Sequence, residues 1–154
     1  DPGDTEKIGK IIAKNIKRPI LLALKGDLGA GKTHLTNSIV KALGIDQTVT
    51  SPTFNLMNIY EGERVRVFHF DFYRLESENE LENIGFYEYS KMGIAIVEWA
   101  DKFMEALPIN YLLICLDYSP DKKSRYISFE RIGKKNPDLI DKIISDYKKE
   151  GEKS

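Results

Sequence analysis

The stretch ILLALKGDLGAGKT, Ile20 to Thr33, decides the fold. Its first five residues are apolar at every position, as in a strand covered on both faces of a parallel sheet. Gly26, Gly31, Lys32 and Thr33 then match G-x-x-x-x-G-K-[ST], a loop whose backbone N–H groups wrap phosphate oxygens. Leu35, Ile39, Ala42 and Leu43 follow at helical spacing, and Gly44 is placed as that helix's C-terminal cap. Strand, loop and helix in this order predict an α/β domain. In that setting Lys32 reaches the β- and γ-phosphates of a nucleoside triphosphate and the Thr33 hydroxyl ligates Mg²⁺. Asp27, Leu28, Gly29, Ala30, Gly31 and His34 complete the phosphate-binding stretch, helped by the partial positive charge of the helix N-terminus.

Upstream, Ile8, Ile11, Ile12 and Ile16 mark one face of a helix that Pro19 ends. Downstream, FNLMNIY and VRVFHFDFY flank EGER and predict an antiparallel hairpin. Ser77 and Glu80 are spaced as a capping box for a short helix that stops near Gly85. IAIVEW, Ile94 to Trp99, is a second buried strand. After Pro108, YLLICLDY and RYISFERI surround SPDKKS as a second hairpin, whose Lys122, Lys123 and Arg125 are most simply a solvated turn. Asn136 as N-cap and Pro137 at the first helical position open a last helix, with Leu139, Ile140, Ile143, Ile144 and Tyr147 on one side. Residues 148–154 are expected to fray. No repeat, low-complexity tract or linker interrupts this order. The expectation is a single three-layer domain over residues 1–154, a mixed sheet of parallel strands and antiparallel hairpins flanked by helices, like that of P-loop nucleotide hydrolases.

The 154 residues can bury a core without disulfide or structural metal. With 42% hydrophobic and 31% charged residues, no apolar run approaches the roughly 20 residues of a membrane span. Lys plus Arg number 23 against 24 for Asp plus Glu, a net charge of -1. No global positive field draws the chain to nucleic acid or anionic lipid, so any RNA is met through a local patch or a partner. Cys115, the one cysteine, lies in the apolar run YLLICL. It reads as a small core residue, suited to a reducing compartment. No basic segment followed by an apolar stretch opens the sequence, and the expected location is the cytoplasm.

A phosphate loop needs an acid to complete its metal site and to position an attacking water or hydroxyl. Glu98 closes the buried run IAIV, and an acid there emerges at the carboxyl edge of the sheet, where the loop begins. Asp71 closes VFHFD and fits two readings, a functional acid or a cap on the next turn. Arg74 suits a partner for Asp71, a phosphate contact or a solvated charge. His69, between two phenylalanines, reads as a packed or edge residue rather than a ligand. Trp99 is most simply core, with a nucleotide or partner contact as the alternatives. VTSPTF, Val49 to Phe54, carries Ser51 and Thr53 and fits either a switch segment that senses the γ-phosphate or a surface turn.

GDLGAGKT, SPTF, HFDFYRL, ELENIG and IVEWADK, in this order between Gly26 and Pro108, together resemble the TsaE (also called YjeE) family. The glutamate at position 98, where an aspartate is commoner in P-loop proteins, makes the ordered set specific. The resemblance implies a small ATPase that assists threonylcarbamoylation of the tRNA adenosine beside the anticodon without carrying out the transfer itself. It further implies ATP and Mg²⁺ as cofactors, TsaD and TsaB-like subunits as partners, and tRNA held mainly by those partners. Lys32 and Thr33 then handle phosphate and Mg²⁺, Glu98 completes the metal site and Asp71 is a functional acid. The Ser51 to Thr53 segment gains a switching role, and Trp99 a place at the nucleotide. His34 departs from the small hydroxyl residue frequent after such loops, and beyond Pro108 the likeness rests on segment order alone. The chief rival is a small-molecule kinase, such as a nucleoside kinase, although the expected lid of several arginines is missing. A GTPase would need an NKxD segment, which the sequence lacks.

Overall fold

A computed structural model describes residues 2–27, 31–52, 56–121 and 123–153. The apolar run that opens the quoted stretch is β1, Ile20–Lys25. It is flanked in parallel by β4, Ile94–Glu98, and β5, Tyr111–Tyr118, and β4 carries β3, Arg66–Asp71, in parallel on its far side. Antiparallel hairpins add the edges, β2 (Met57–Glu61) on β3 and β6 (Arg125–Ile132) on β5. The sheet order is β2-β3-β4-β1-β5-β6. This is the mixed α/β sheet expected from the sequence.

Strand alternation divides the core into two layers. Ile20, Leu22 and Leu24, with Ile94, Ile96 and Ile114, face α1 (Pro2–Asn15), α2 (Lys32–Ala42) and α5 (Leu139–Lys153), and pack on Ile12, Leu35, Ile39 and Ile143. Leu21 and Ala23, with Ala95 and Val97, face the other way onto Phe70, Phe72, Leu81 and Phe86. Those last two belong to the short helices α3, Asn79–Asn83, and α4, Phe86–Tyr89. Each fully covered Leu or Phe contributes about 1.5–3 kcal/mol, so coverage of both faces fixes the central strands. Gly9 lets α1 and α2 touch: a Cβ there would stand 2.4 Å from the Cβ of Ser38. Among the described residues, no helix is long and apolar enough to cross a membrane.

Several boundaries differ from those the sequence predicts. β4 stops at Glu98 because Trp99 turns left-handed, with φ 57. The capping box holds through Glu80, whose Oε2 accepts the N–H groups of Glu76 and Ser77 at 2.6 and 3.1 Å. Beyond it, left-handed Gly85 separates α3 from α4, a second short helix not expected from the pattern. Asn136 is not the N-cap of α5. It adopts φ 55, which Asn tolerates, its carbonyl takes the Leu139 N–H at 3.1 Å, and the helix starts at Leu139. The helix then runs to Lys153, through the stretch expected to fray.

Candidate functional site at the carboxyl edge of the sheet

Three neighbouring strands end together beside the N-terminus of α2. The register pairs Leu24 of β1 with Glu98 of β4, and Glu98 with Asp71 of β3. Alternation sends Glu98, and with it His69 and Asp71, to the same side of the sheet as Ile94, Ile96 and Val67, the side covered by α2. Gly31, at φ 98, takes the left-handed turn that glycine makes at little cost and leads into α2, whose Leu35 N–H returns to the Gly31 carbonyl at 2.9 Å. Lys32 and Thr33 are thereby the first two residues of a helix aimed at the acids.

Thr33 lies at the centre of the contacts. Its Oγ1 donates to Glu98 Oε1 at 2.9 Å and stands 2.7 Å from Ser51 Oγ. The other Glu98 oxygen, Oε2, is bonded to His69 Nε2. Nδ1 of His69 meets the Tyr60 hydroxyl at 3.2 Å, and that hydroxyl reaches the Thr50 carbonyl at 3.1 Å. Glu98 is only 2% exposed and His69 not at all, so both polar groups depend on these bonds. A threonine hydroxyl and a carboxylate already in contact are hard oxygen donors that suit Mg²⁺, which takes one or two protein oxygens and completes its octahedron with phosphate and water.

Lys32 is buried, and its Nζ donates to the carbonyls of Gly26 and Asp27 at 2.6 and 2.8 Å while standing 4.2 Å from the centroid of the Trp99 ring. Burial pulls the ammonium below the ordinary lysine range, against the acidic surroundings of Glu98, Asp101, Asp71 and Asp27. The left-handed Trp99 carries its ring across Lys32 and against Tyr73, with centroids 4.9 Å apart. Asp71 accepts the Tyr73 N–H at 2.9 Å. Burial pushes its carboxyl above the usual aspartate range, the neighbouring Glu98 charge adds to this, and the Tyr73 bond opposes it. Perturbed acid and base neighbours of this kind concentrate at functional sites.

The structure thus brings together Gly31, Lys32, Thr33, Ser51, Asp71, Glu98 and Trp99. Asp27 and His34 are exposed at the loop's two ends, Arg74 is exposed to solvent, and Leu28, Gly29, Ala30 and Thr53 lie outside the described residues. Cys115 is partly buried against the second core layer. His69 is packed, as its flanking phenylalanines suggest, but it also bonds the acid. Its signal was its place two residues before Asp71, on the same strand face. Arg125 is exposed, yet its guanidinium Nη1 lies 2.9 Å from where a Gly31 Cβ would stand. It lines a cleft of about 1030 Å³ together with Thr5, Ile8, Tyr118, Ile127 and Tyr147. Nothing in the pattern of the second hairpin links it to the loop, because that closeness is made by the β1-β5-β6 pairing.

Comparison with known proteins agrees with this architecture. The family model described as threonylcarbamoyl adenosine biosynthesis protein TsaE matches residues 1–127. The Bacillus subtilis tRNA threonylcarbamoyladenosine biosynthesis protein TsaE is 36% identical over 144 residues, covering 93% of this chain and 89% of the relative. Its Haemophilus influenzae counterpart is 36% identical over 121 residues, 77% of each chain. The crystal structure of Bacillus subtilis YdiB superposes with a TM-score of 0.77 at 30% identity, covering 94% of this chain and 90% of that one. The chain belongs to the TsaE family.

Proposed function

We propose that this chain binds ATP with Mg²⁺ and hydrolyses it in support of threonylcarbamoylation of the tRNA adenosine beside the anticodon. The observation that carries the reading is the Thr33 hydroxyl set 2.9 Å from the Glu98 carboxylate at the start of α2, with the Lys32 ammonium tied to the first residues of the loop. Lys32 gives up the carbonyls of Gly26 and Asp27 for phosphate oxygens. Thr33 and Glu98 hold Mg²⁺, which when bound neutralises charge on the transferring phosphoryl group. Asp71, a carboxylate that burial makes more basic, orients the attacking water and takes its proton. Arg125, which stands against Gly31 and also lines the neighbouring cleft with Tyr118, directs the nucleoside toward that cleft.

The chain carries a net charge of -1, which supports contact with tRNA mainly through protein partners, the TsaD and TsaB-like subunits of the transferase. An ATPase that acts on partners needs two shapes with different partner affinity, and ATP must favour one of them. Ser51, bonded to the hydroxyl that Mg²⁺ would claim, belongs to the segment that changes between those shapes, and hydrolysis resets the assembly. The test is a bacterium depleted of its own TsaE and supplied with this chain or with its Lys32→Ala variant, with threonylcarbamoyladenosine in bulk tRNA measured by mass spectrometry. Restoration by the wild-type chain alone supports the reading. Restoration by neither, or equally by both, removes it.

A further inference from the structure

Glu98 offers its two oxygens to two different partners, and only one of these belongs to the phosphate loop. Oε1 takes the Thr33 hydroxyl, while Oε2 is held by His69, from which a hydrogen-bonded path leads through Tyr60 to the carbonyl of Thr50. Thr50 is followed in the chain by Ser51, whose hydroxyl returns to Thr33. The path therefore closes on itself. His69 is 0% and Tyr60 4% exposed, and burying an imidazole and a phenol hydroxyl is costly unless both are bonded. An apolar pair would fill this part of the core, beside Val67 and Ile96, at less cost. What the polar pair adds is a second hold on the acid and a connection to the Thr50–Ser51 backbone.

We infer that His69 and Tyr60 are positioning residues. They fix the Glu98 carboxylate by Oε2, so that Oε1 stays turned to Thr33, and they tether the Thr50–Ser51 segment to that carboxylate. Without the hold at Oε2, a glutamate at a strand end could swing about its side-chain torsions, and partners behind a metal-binding group commonly restrict that motion. The tether survives the single phenol proton. When the Tyr60 hydroxyl donates to His69 Nδ1 and releases the Thr50 carbonyl, Asn58 Nδ2 bridges the two, donating to the Tyr60 oxygen at 3.4 Å and to the Thr50 carbonyl at 3.1 Å. When Mg²⁺ claims the Thr33 hydroxyl, Ser51 loses that partner but the route through Tyr60 remains. Movement of Glu98 would then be transmitted to Thr50 through His69 and Tyr60, directly or by way of Asn58.

The inference rests on Glu98 as the metal-site acid, but its decisive test needs no nucleotide. Amide ¹⁵N relaxation of the nucleotide-free protein is compared between wild type and Tyr60→Phe, which keeps the ring and removes the hydroxyl. Loss of the tether predicts that the order parameters of Thr50 and Ser51 fall into the flexible range, below about 0.6, with those of β1 and β4 unchanged. Order parameters at Thr50 and Ser51 equal to wild type, or a fall shared equally by β1 and β4, overturn the tether. The second arm measures the Mg²⁺ concentration needed for half-saturation of ATP binding. His69→Leu should raise it roughly tenfold, and His69→Gln, which restores an N–H donor toward Oε2, should recover most of that loss. Equal values for wild type, Leu and Gln variants overturn the hold on Glu98. Absence of any Mg²⁺-dependent ATP binding by the wild-type chain defeats the proposed function, and the relaxation arm then decides the tether by itself.

Discussion

Replacing Glu98 by Gln removes one negative charge and almost no volume from a side chain that is only 2% exposed. The buried contacts can all be kept. The Gln carbonyl takes the Thr33 hydroxyl, the Gln amide donates to His69 Nε2, and the imidazole moves its proton to Nδ1, which then donates to Tyr60 while Tyr60 donates to Thr50. Two charge-assisted bonds become neutral ones, a loss of about 1 kcal/mol each. Relief of repulsion with Asp71, whose carboxyl the Glu98 charge helps push up, offsets part of that loss. The net change is under about 2 kcal/mol, or a fall in Tm of less than about 8 °C for a protein of this size. The effect on phosphate release is larger, because a carboxylate on Mg²⁺ becomes a neutral amide: a drop of roughly a hundredfold, about 2.7 kcal/mol of barrier. The assay is inorganic phosphate release across a Mg²⁺ titration, with thermal melts alongside. A variant that melts within that range and turns over within about twofold of wild type at saturating Mg²⁺ would refute the metal-site assignment.

Trp99 is the single tryptophan, and the Lys32 ammonium stands 4.2 Å from its ring centroid. Its emission should change when Mg²⁺ and ATP draw Lys32 to phosphate, and Lys32→Ala should show no such change in a fluorescence titration. Asp71→Asn should raise stability at neutral pH. The folded-state pKa of Asp71 lies above the ordinary 3.8, so the folded protein binds more protons than the unfolded chain between these values, and stability falls as pH rises through that window. Denaturant melts should show the variant's advantage fully developed above the folded-state value and vanishing below 3.8. Gly9→Ala should destabilise by about 1–3 kcal/mol, because the new Cβ would meet Ser38 at 2.4 Å; an unchanged urea midpoint would mean that α1 and α2 separate freely.

The central strands were legible because their burial on both faces leaves an unbroken apolar run, as in ILLAL and IAIV. The strand and helix on either side of the loop motif were legible because that motif demands particular residues at fixed spacing between such elements. Glu98 and Asp71 could be placed by combining strand ends with alternation, which puts both on the face of α2. What stayed hidden depends on contacts between distant segments. Tyr60 has no local signature of a role, and His69 only its place two residues before Asp71, since their bonds exist only through the pairing of β2 with β3 and of β3 with β4. Arg125 sits in a hairpin that reads as solvated, and only the folding of β6 beyond β5 sets it against Gly31. The late start of α5 has another origin: Asn136 suits both an N-cap and a left-handed turn, and the backbone takes the second.

The most direct test of the account follows the labelled γ-phosphate of ATP, with this chain alone, with TsaD and TsaB-like partners, and with a panel of nucleosides. Label released as inorganic phosphate, dependent on Lys32 and faster with the partners, is the predicted result. Label transferred to a nucleoside would contradict it and make the chain a kinase, with Asp71 as base for the acceptor hydroxyl.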